Sequence, residues 1–123
     1  MTSIQYGSMS LDDLLGRFVE IGIAQDKALF NDDSASYNRL YRQMDQIDKE
    51  LRARGRDARL SLTRLFDHPN LHVRLRAAAR TLGVAPDRAR AVIESIASSR
   101  IYPQAGDAGM LLSGLDDGTF KPS

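Results

Sequence analysis

The sequence predicts an all-α protein. Apolar residues recur at intervals of three and four along most of the 123 residues, and alternating runs rich in β-branched residues are almost absent. Glycine, proline and short polar clusters interrupt this pattern and divide the chain into six helices joined by short turns. Short turns favour antiparallel neighbours, so we expect an α-α superhelix of about three antiparallel helix pairs.

Composition narrows the classes of protein to consider. A length of 123 residues, 42% hydrophobic and 27% charged residues fit one globular domain, and a net charge of +1 selects no class of partner. The absence of cysteine excludes disulfides and thiolate ligands for zinc. The N-terminus lacks the pattern of a signal peptide, and no segment approaches the roughly 18 apolar residues of a membrane span. We therefore expect a cytoplasmic protein without membrane contact.

The helical pattern also sets the expected boundaries. We expect a flexible N-terminus at residues 1–9, a single helical-repeat domain at 10–118 and a C-terminal tail at 119–123. In a stack of helix pairs, the first and the last pair each leave one side uncovered. Either polar caps or a second copy of the chain would have to cover these sides. Both a monomer and a homodimer therefore stay open.

Two long helices are expected first. Ser10 can cap the first helix, and either Asp33 or Ser34 can cap the second after a polar break at 31–34. The second helix ends at Gly55, because glycine accepts the left-handed conformation that closes a helix. Its apolar face lies at offsets 0, 3, 4, 7, 10 and 14, occupied by Tyr37, Leu40, Tyr41, Met44, Ile47 and Leu51. We expect these residues, including both tyrosines, to belong to the core, with an exposed patch as the alternative for Tyr37 and Tyr41.

Four shorter helices are expected next. The third stops before Pro69, and the fourth runs from Leu71 to Leu82 with Asn70 as its cap. Pro86 suits the first turn of the fifth helix, and the sixth follows Pro103. The third to sixth helices thus make two pairs of about 30 residues each, which is the period of a helical repeat.

The stretch DHPNLHVRLRAAARTLG, residues 67–83, carries a family pattern. A turn rich in Asp, Pro and Asn followed by V-R-x-x-A-A-x-x-x-L-G resembles the turn and second helix of a HEAT repeat, usually written V-R-x-x-A-A-x-x-L-G, with one extra residue before the leucine. The matching residues are Asp67, Pro69, Asn70, Val73, Arg74, Ala77, Ala78, Leu82 and Gly83.

The whole chain, including the ending GDAGMLLSGLDDGTFKP at residues 106–122, also resembles a bacterial family of short helical-repeat proteins of unknown function. Together these resemblances imply a HEAT/armadillo-like fold, and they imply no activity. The HEAT resemblance further implies that Asp67 and Arg74 bond between repeats as structural staples.

Few residues are candidates for catalysis. The only histidines are His68 and His72, and the Pro-Asn turn between them keeps them off one helical face of the kind a metal pair needs. No G-x-S-x-G elbow or phosphate-binding glycine loop is present. We therefore expect a protein that is not an enzyme, with no catalytic residue, no cofactor and no metal site.

The middle of the chain is basic. Residues 51–100 hold eleven arginines against four acids. A basic concave surface of a HEAT-like solenoid could contact phosphates, so a nucleic-acid-binding domain is the first alternative function. Against it, these arginines point in several helical directions and few aromatic residues lie among them.

The leading interpretation is a protein-protein interaction module of unknown biological role, with an unidentified protein partner. A toxin-neutralising immunity protein is a particular form of it, because small helical-repeat proteins of this type are sometimes used that way. Second helices of each pair usually line the inner curve of a solenoid, so their exposed faces are the expected contact surface. The predicted partner-binding residues are Arg39, Arg42, Gln43 and Gln46 on the second helix and His72, Arg76 and Arg80 on the fourth.

Overall fold

The structure, a computed structural model, describes residues 6–123 as helices joined by turns, with no strand in that range. The prediction of an all-α protein is confirmed. The six α-helices are α1 (Leu11–Phe30), α2 (Ser34–Arg54), α3 (Arg56–Leu60), α4 (Leu71–Thr81), α5 (Pro86–Ala97) and α6 (Gln104–Asp117), and short 3₁₀ helices occupy Tyr6–Ser8 and Ser61–Leu65. None of these helices combines the length and the apolar character needed to cross a membrane.

The described residues form two compact units. The single helical-repeat domain expected over 10–118 stays a prediction. The first unit ends at Ser61, and the second spans Leu62–Ser123. The expected third helix is short in the structure, because α3 stops at Leu60 and a 3₁₀ helix follows it.

In the first unit, α1 and α2 pack against each other as an antiparallel pair. Their facing side chains are fully buried, and these are Leu14, Phe18 and Ile21 of α1 with Met44, Ile47 and Leu51 of α2. Ser10 Oγ accepts from the Asp13 N–H at 3.1 Å, and Asp33 Oδ1 accepts from the Ser36 N–H at 3.1 Å. Both caps were predicted, with Asp33 as one of two candidates.

The end of α2 also follows the prediction. Gly55 has a φ of 111°, in the region that residues with a Cβ atom rarely adopt. The chain can therefore leave α2 at Gly55 and enter α3 directly, with Arg56 as its first helical residue.

Arg54 holds the segment that precedes α1. Its Nη2 donates to the carbonyl oxygens of Tyr6 at 3.2 Å, Gly7 at 3.4 Å and Met9 at 2.7 Å. Tyr6 is 6% exposed. Residues 6–9, which the sequence assigned to a flexible N-terminus, are thus tied to α2, while residues 1–5 of that prediction lie outside the described residues.

In the second unit, α4, α5 and α6 pack against one another. Their shared core consists of Leu75, Ala78, Leu82, Ala89, Ile93, Ile96 and Ala108. Asn70 Oδ1 accepts from the Val73 N–H at 3.0 Å, and Pro86 lies in the first turn of α5, as predicted. The fully buried Ala77 and Ala78 let helices approach α4 closely.

The C-terminal tail predicted at 119–123 folds back onto the second unit. The Phe120 N–H donates to the carbonyl oxygen of Gly114 at 3.0 Å. A Cβ atom at Gly83 would overlap the backbone of Ser123. Glycine at position 83 therefore leaves room for the tail.

The staple implied by the HEAT resemblance is not formed. Within residues 6–123, the side chains of Asp67 and Arg74 make no ion pair or hydrogen bond with each other or with another residue. Both line the same surface groove instead.

Candidate functional site

The predicted contact residues of the first unit lie on α2. Arg39, Arg42 and Gln46 are exposed, as predicted. Gln43 is half-buried, because its Oε1 accepts from Arg17 Nη2 of α1 at 3.0 Å. Gln43 therefore contributes to the packing of α1 on α2 more than to an open surface.

The exposed residues border a shallow groove. It has a volume of about 270 Å³ and is lined by Tyr41, Arg42, Asp45, Gln46 and Lys49, all on α2. We call these residues, together with Arg39, the α2 face. Lys49 Nζ lies 3.3 Å from Asp45 Oδ2, so these two groove residues form an ion pair.

Tyr41 differs from the prediction. It was expected in the core because it lies in the apolar stripe of α2, yet it is 43% exposed, while Tyr37 is half-buried. α1 covers the part of the stripe that contains Met44 and Ile47, and the edge of the stripe stays in contact with solvent. The sequence carried one signal for this surface, the spacing of four residues from Tyr41 to Asp45 and from Asp45 to Lys49, which puts them on one side of a helix.

The two arginines of the α2 face have no internal partner. Neither the Arg39 nor the Arg42 side chain makes a hydrogen bond or an ion pair anywhere in residues 6–123. Arg39 nevertheless acts at longer range on the cap of its own helix. Hydrogen bonds from Ser36 lower the pKa of Asp33, and the positive charge of Arg39 lowers it further. The two guanidinium groups are therefore available to an external acceptor.

Of the predicted contact residues of the fourth helix, His72 is not at the surface, and this corrects the prediction for that residue. His72 is completely buried, and its Nδ1 lies 3.3 Å from Gln104 Nε2 of α6. The physical reason is that α4 packs against both α5 and α6, so more of its circumference is covered than one apolar stripe suggested. Arg76 and Arg80 are half-buried, with the Nε of Arg76 and one terminal nitrogen of Arg80 inaccessible to solvent.

The two histidines lie in different surroundings. His68 is in the turn before α4, where its Nδ1 accepts from the Asn70 N–H at 3.0 Å, whereas His72 is paired with Gln104. Across residues 6–123, no three His, Asp or Glu side chains are grouped so that they could hold a metal ion.

The basic residues near the end of α2 are largely used inside the first unit. Arg52 Nε donates to Asp48 Oδ2 at 3.1 Å, and Arg54 Nε donates to Glu50 Oε2 at 2.8 Å. Burial lowers the pKa of Arg59, and the neighbouring charges of Arg52 and Arg56 act in the same direction while Asp48 opposes them. These contacts reduce the positive surface that nucleic acid could use.

Comparison with known proteins identifies the family to which the chain belongs. Residues 12–116 match the family model described as "Domain of unknown function (DUF2019)". The crystal structure of the protein RPA1889 from Rhodopseudomonas palustris CGA009 is similar, with 47% sequence identity, a TM-score of 0.94, and coverage of 98% of this chain and 100% of that chain. No curated protein matches the chain. The predicted resemblance to a bacterial family of unknown function is thus supported, and the chain belongs to the DUF2019 family.

Proposed function

We propose that the chain is a non-enzymatic protein-protein interaction module that binds its partner through the α2 face. The observation that carries the proposal is the pair Arg39 and Arg42, which are exposed and lack any internal partner in residues 6–123, beside the exposed ring of Tyr41. Arginine and tyrosine are enriched in protein interfaces and among the residues that dominate their binding energy.

The chemistry of the α2 face favours an acidic partner. A guanidinium group binds a carboxylate through two parallel hydrogen bonds, and Arg39 and Arg42 give up no internal ion pair when they do so. Tyr41 supplies a large apolar surface with few rotatable bonds. A partner that presents carboxylates around an apolar side chain would complement this arrangement.

The shape of the groove supports a contact surface more than a site for a small molecule. Its volume of about 270 Å³ falls below the roughly 300–1,000 Å³ of pockets that enclose small ligands. The carboxyl groups with lowered pKa values, Asp33 and Asp117, owe them to hydrogen bonds from Ser36 and Thr119 at helix ends. These shifts have a structural cause and give no support to an active site.

Three finer predictions belong to this proposal. The helix pairs would stack as a HEAT/armadillo-like superhelix, the protein would act in the cytoplasm, and a toxin-neutralising immunity protein would be one specific form of the module. The identity of the captured partner would distinguish an immunity protein from other interaction modules.

The test is a comparison of three immobilised forms of the chain. They are the wild type, the α2-face variant Arg39→Glu/Arg42→Glu, and the control Arg100→Glu/Lys121→Glu, which changes the charge equally at exposed cations of the second unit. Proteins retained from a lysate of the native organism are quantified by mass spectrometry, and the purified partner is then titrated calorimetrically against each form. We expect one partner that binds the wild type and the control equally and binds the α2-face variant at least about tenfold more weakly, the ratio that 1.4 kcal/mol produces.

Two outcomes would contradict the proposal. Equal affinity for the α2-face variant would show that the partner binds elsewhere. Retention of DNA or RNA with an affinity that falls steeply with salt would favour the nucleic-acid alternative.

A further inference from the structure

The solvent-facing side of α1 carries a stripe of residues that the proposed function does not use. The buried side of α1, which includes Leu14, Phe18 and Ile21, packs on α2. On the opposite side, residues spaced by three, four and seven positions share one face of the helix. These residues, which we call the α1 stripe, are Gly16, Val19, Glu20, Ile23, Lys27 and Phe30. None of them belongs to the α2 face.

The α1 stripe exposes both a bulky side chain and a position without one. Phe30 is 91% exposed and Ile23 is 45% exposed, although burial of such apolar surface is favourable. Gly16 is exposed as well, and a Cβ atom there would come within 4 Å of no packed side chain. The stripe therefore offers a large ring near one end of α1 and an open, flat surface near the other.

Two opposite charges lie on one flank of the α1 stripe. Glu20 and Lys27 are seven residues apart, which is about two helical turns, so they share a side of α1 but cannot reach each other. Glu20 Oε2 accepts from Arg17 Nη1 at 3.1 Å, and the Glu20 side chain is still 69% exposed. The Lys27 ammonium group is exposed and makes no hydrogen bond or ion pair within residues 6–123. It is therefore available to an external carboxylate.

The order of these residues is self-complementary about Ile23. Gly16 and Phe30 lie seven residues from Ile23 in opposite directions, and Glu20 and Lys27 lie three and four residues from it. In an antiparallel pair of α1 helices with a two-fold axis at Ile23, each residue faces the one equally distant on the other side. The Phe30 ring then lies over Gly16 of the second copy, and Lys27 lies beside Glu20 of the second copy. Size and charge thus match a second copy of this chain.

We propose that the α1 stripe joins two copies of the chain as an antiparallel helix pair. Ile23 of both copies forms the centre of the contact. Phe30 of each copy packs on Gly16 of the other, where the lack of a side chain permits close approach. Two ion pairs between Lys27 and Glu20 select the antiparallel direction, because a parallel pair would leave these charges about two turns apart.

The test is sedimentation equilibrium of the full chain from about 1 µM to about 1 mM. We expect the wild type to change reversibly from a monomer of 13.6 kDa to a species of twice that mass. Phe30→Ala removes the ring and Gly16→Leu fills the surface that receives it, so each should raise the dissociation constant at least about tenfold. Met110→Ala is the matched control, at an apolar residue of the second unit that is 76% exposed, and should leave the dissociation constant unchanged. A monomer at every concentration, or a dimer that Phe30→Ala leaves intact, would overturn the proposal.

Charge reversal tests the register of the two helices. Lys27→Glu and Glu20→Lys should each weaken self-association at least about fivefold, because like charges then face each other at both ends of the contact. An equimolar mixture of these two variants should associate more tightly than either variant alone, since each lysine then faces a glutamate of the other chain. Both substitutions are at exposed positions, and circular dichroism checks that the helices are retained. A mixture that associates no better than its components would refute the antiparallel pairing.

Discussion

The Nη2 atom of Arg54 lies 2.7 Å from the carbonyl oxygen of Met9 and joins the last turn of α2 to the residue before the cap of α1. The same nitrogen reaches the carbonyl oxygens of Tyr6 and Gly7, and Nε is held by Glu50. Arg54, one of the arginines that make the middle of the chain basic, is therefore a structural residue of the first unit.

Arg54→Ala should lower the free energy of unfolding by about 1–3 kcal/mol, because carbonyl oxygens lose a charged donor. Urea denaturation measures the loss, and hydrogen exchange should show faster exchange of the Met9 amide, which bonds to the Tyr6 carbonyl. Arg42→Ala is the matched control on the same helix and should change the stability by less than about 0.5 kcal/mol. An Arg54→Ala variant that is as stable as the wild type would contradict this role.

His72→Ala should be strongly destabilising, because it removes a completely buried ring and leaves Gln104, which is 3% exposed, without that partner. A cost of about 2–4 kcal/mol follows from the cavity and the lost hydrogen bond. His68→Ala is the comparison, since it removes only a half-buried turn residue, and denaturant unfolding of both variants gives the difference. Equal losses for the two variants would contradict the buried position of His72.

Arg76→Glu/Arg80→Glu should unfold or markedly destabilise the protein, by more than about 2 kcal/mol, because it places carboxylates where guanidinium nitrogens are inaccessible to solvent. Both arginines belong to the contact surface that the sequence predicts on the fourth helix. Arg39→Glu/Arg42→Glu, at exposed positions, should leave the thermal midpoint nearly unchanged. Circular dichroism melting curves of the two double variants test the contrast, and an unchanged midpoint for the first would restore α4 as a contact surface.

The cap at Asp33 predicts a dependence of stability on pH. Hydrogen bonds from Ser36 lower its pKa in the folded state below the ordinary value of 3.8. Because the folded state binds the Asp33 proton less tightly than the unfolded chain does, the ionised carboxylate stabilises the fold at pH values above 3.8. This stabilisation is lost as the pH falls below 3.8 and through the lower pKa of the folded state. Asp33→Ala should thus lower the thermal midpoint at pH 7, and the difference from the wild type should shrink in acid.

Asp33→Asn is the control for that measurement. Its amide oxygen can still accept from the Ser36 N–H, but it carries no titrating charge. Its advantage over Asp33→Ala should therefore persist across the same pH range. A difference between the wild type and Asp33→Ala that stays constant from pH 7 into acid would contradict the role of the charge.

The sequence determined the local features of this protein. The caps at Ser10, Asp33 and Asn70 and the proline at position 86 occur where the pattern placed them. A cap depends on one side chain and the backbone N–H groups two or three residues away, so the sequence contains all of the necessary information. The resemblance to a bacterial family of unknown function was likewise contained in the order of residues, along the whole chain.

The tertiary structure decided which polar and aromatic side chains are buried. His72 was expected at the surface and is buried beside Gln104, while Tyr41 was expected in the core and is 43% exposed. Helical periodicity gives the direction of a side chain around its own axis but not the number of helices that pack against that axis. Because α4 is covered by two helices and α2 has an exposed edge, these two residues exchanged their expected environments. The number of packed neighbours depends on contacts between residues far apart in the chain, which no local pattern encodes.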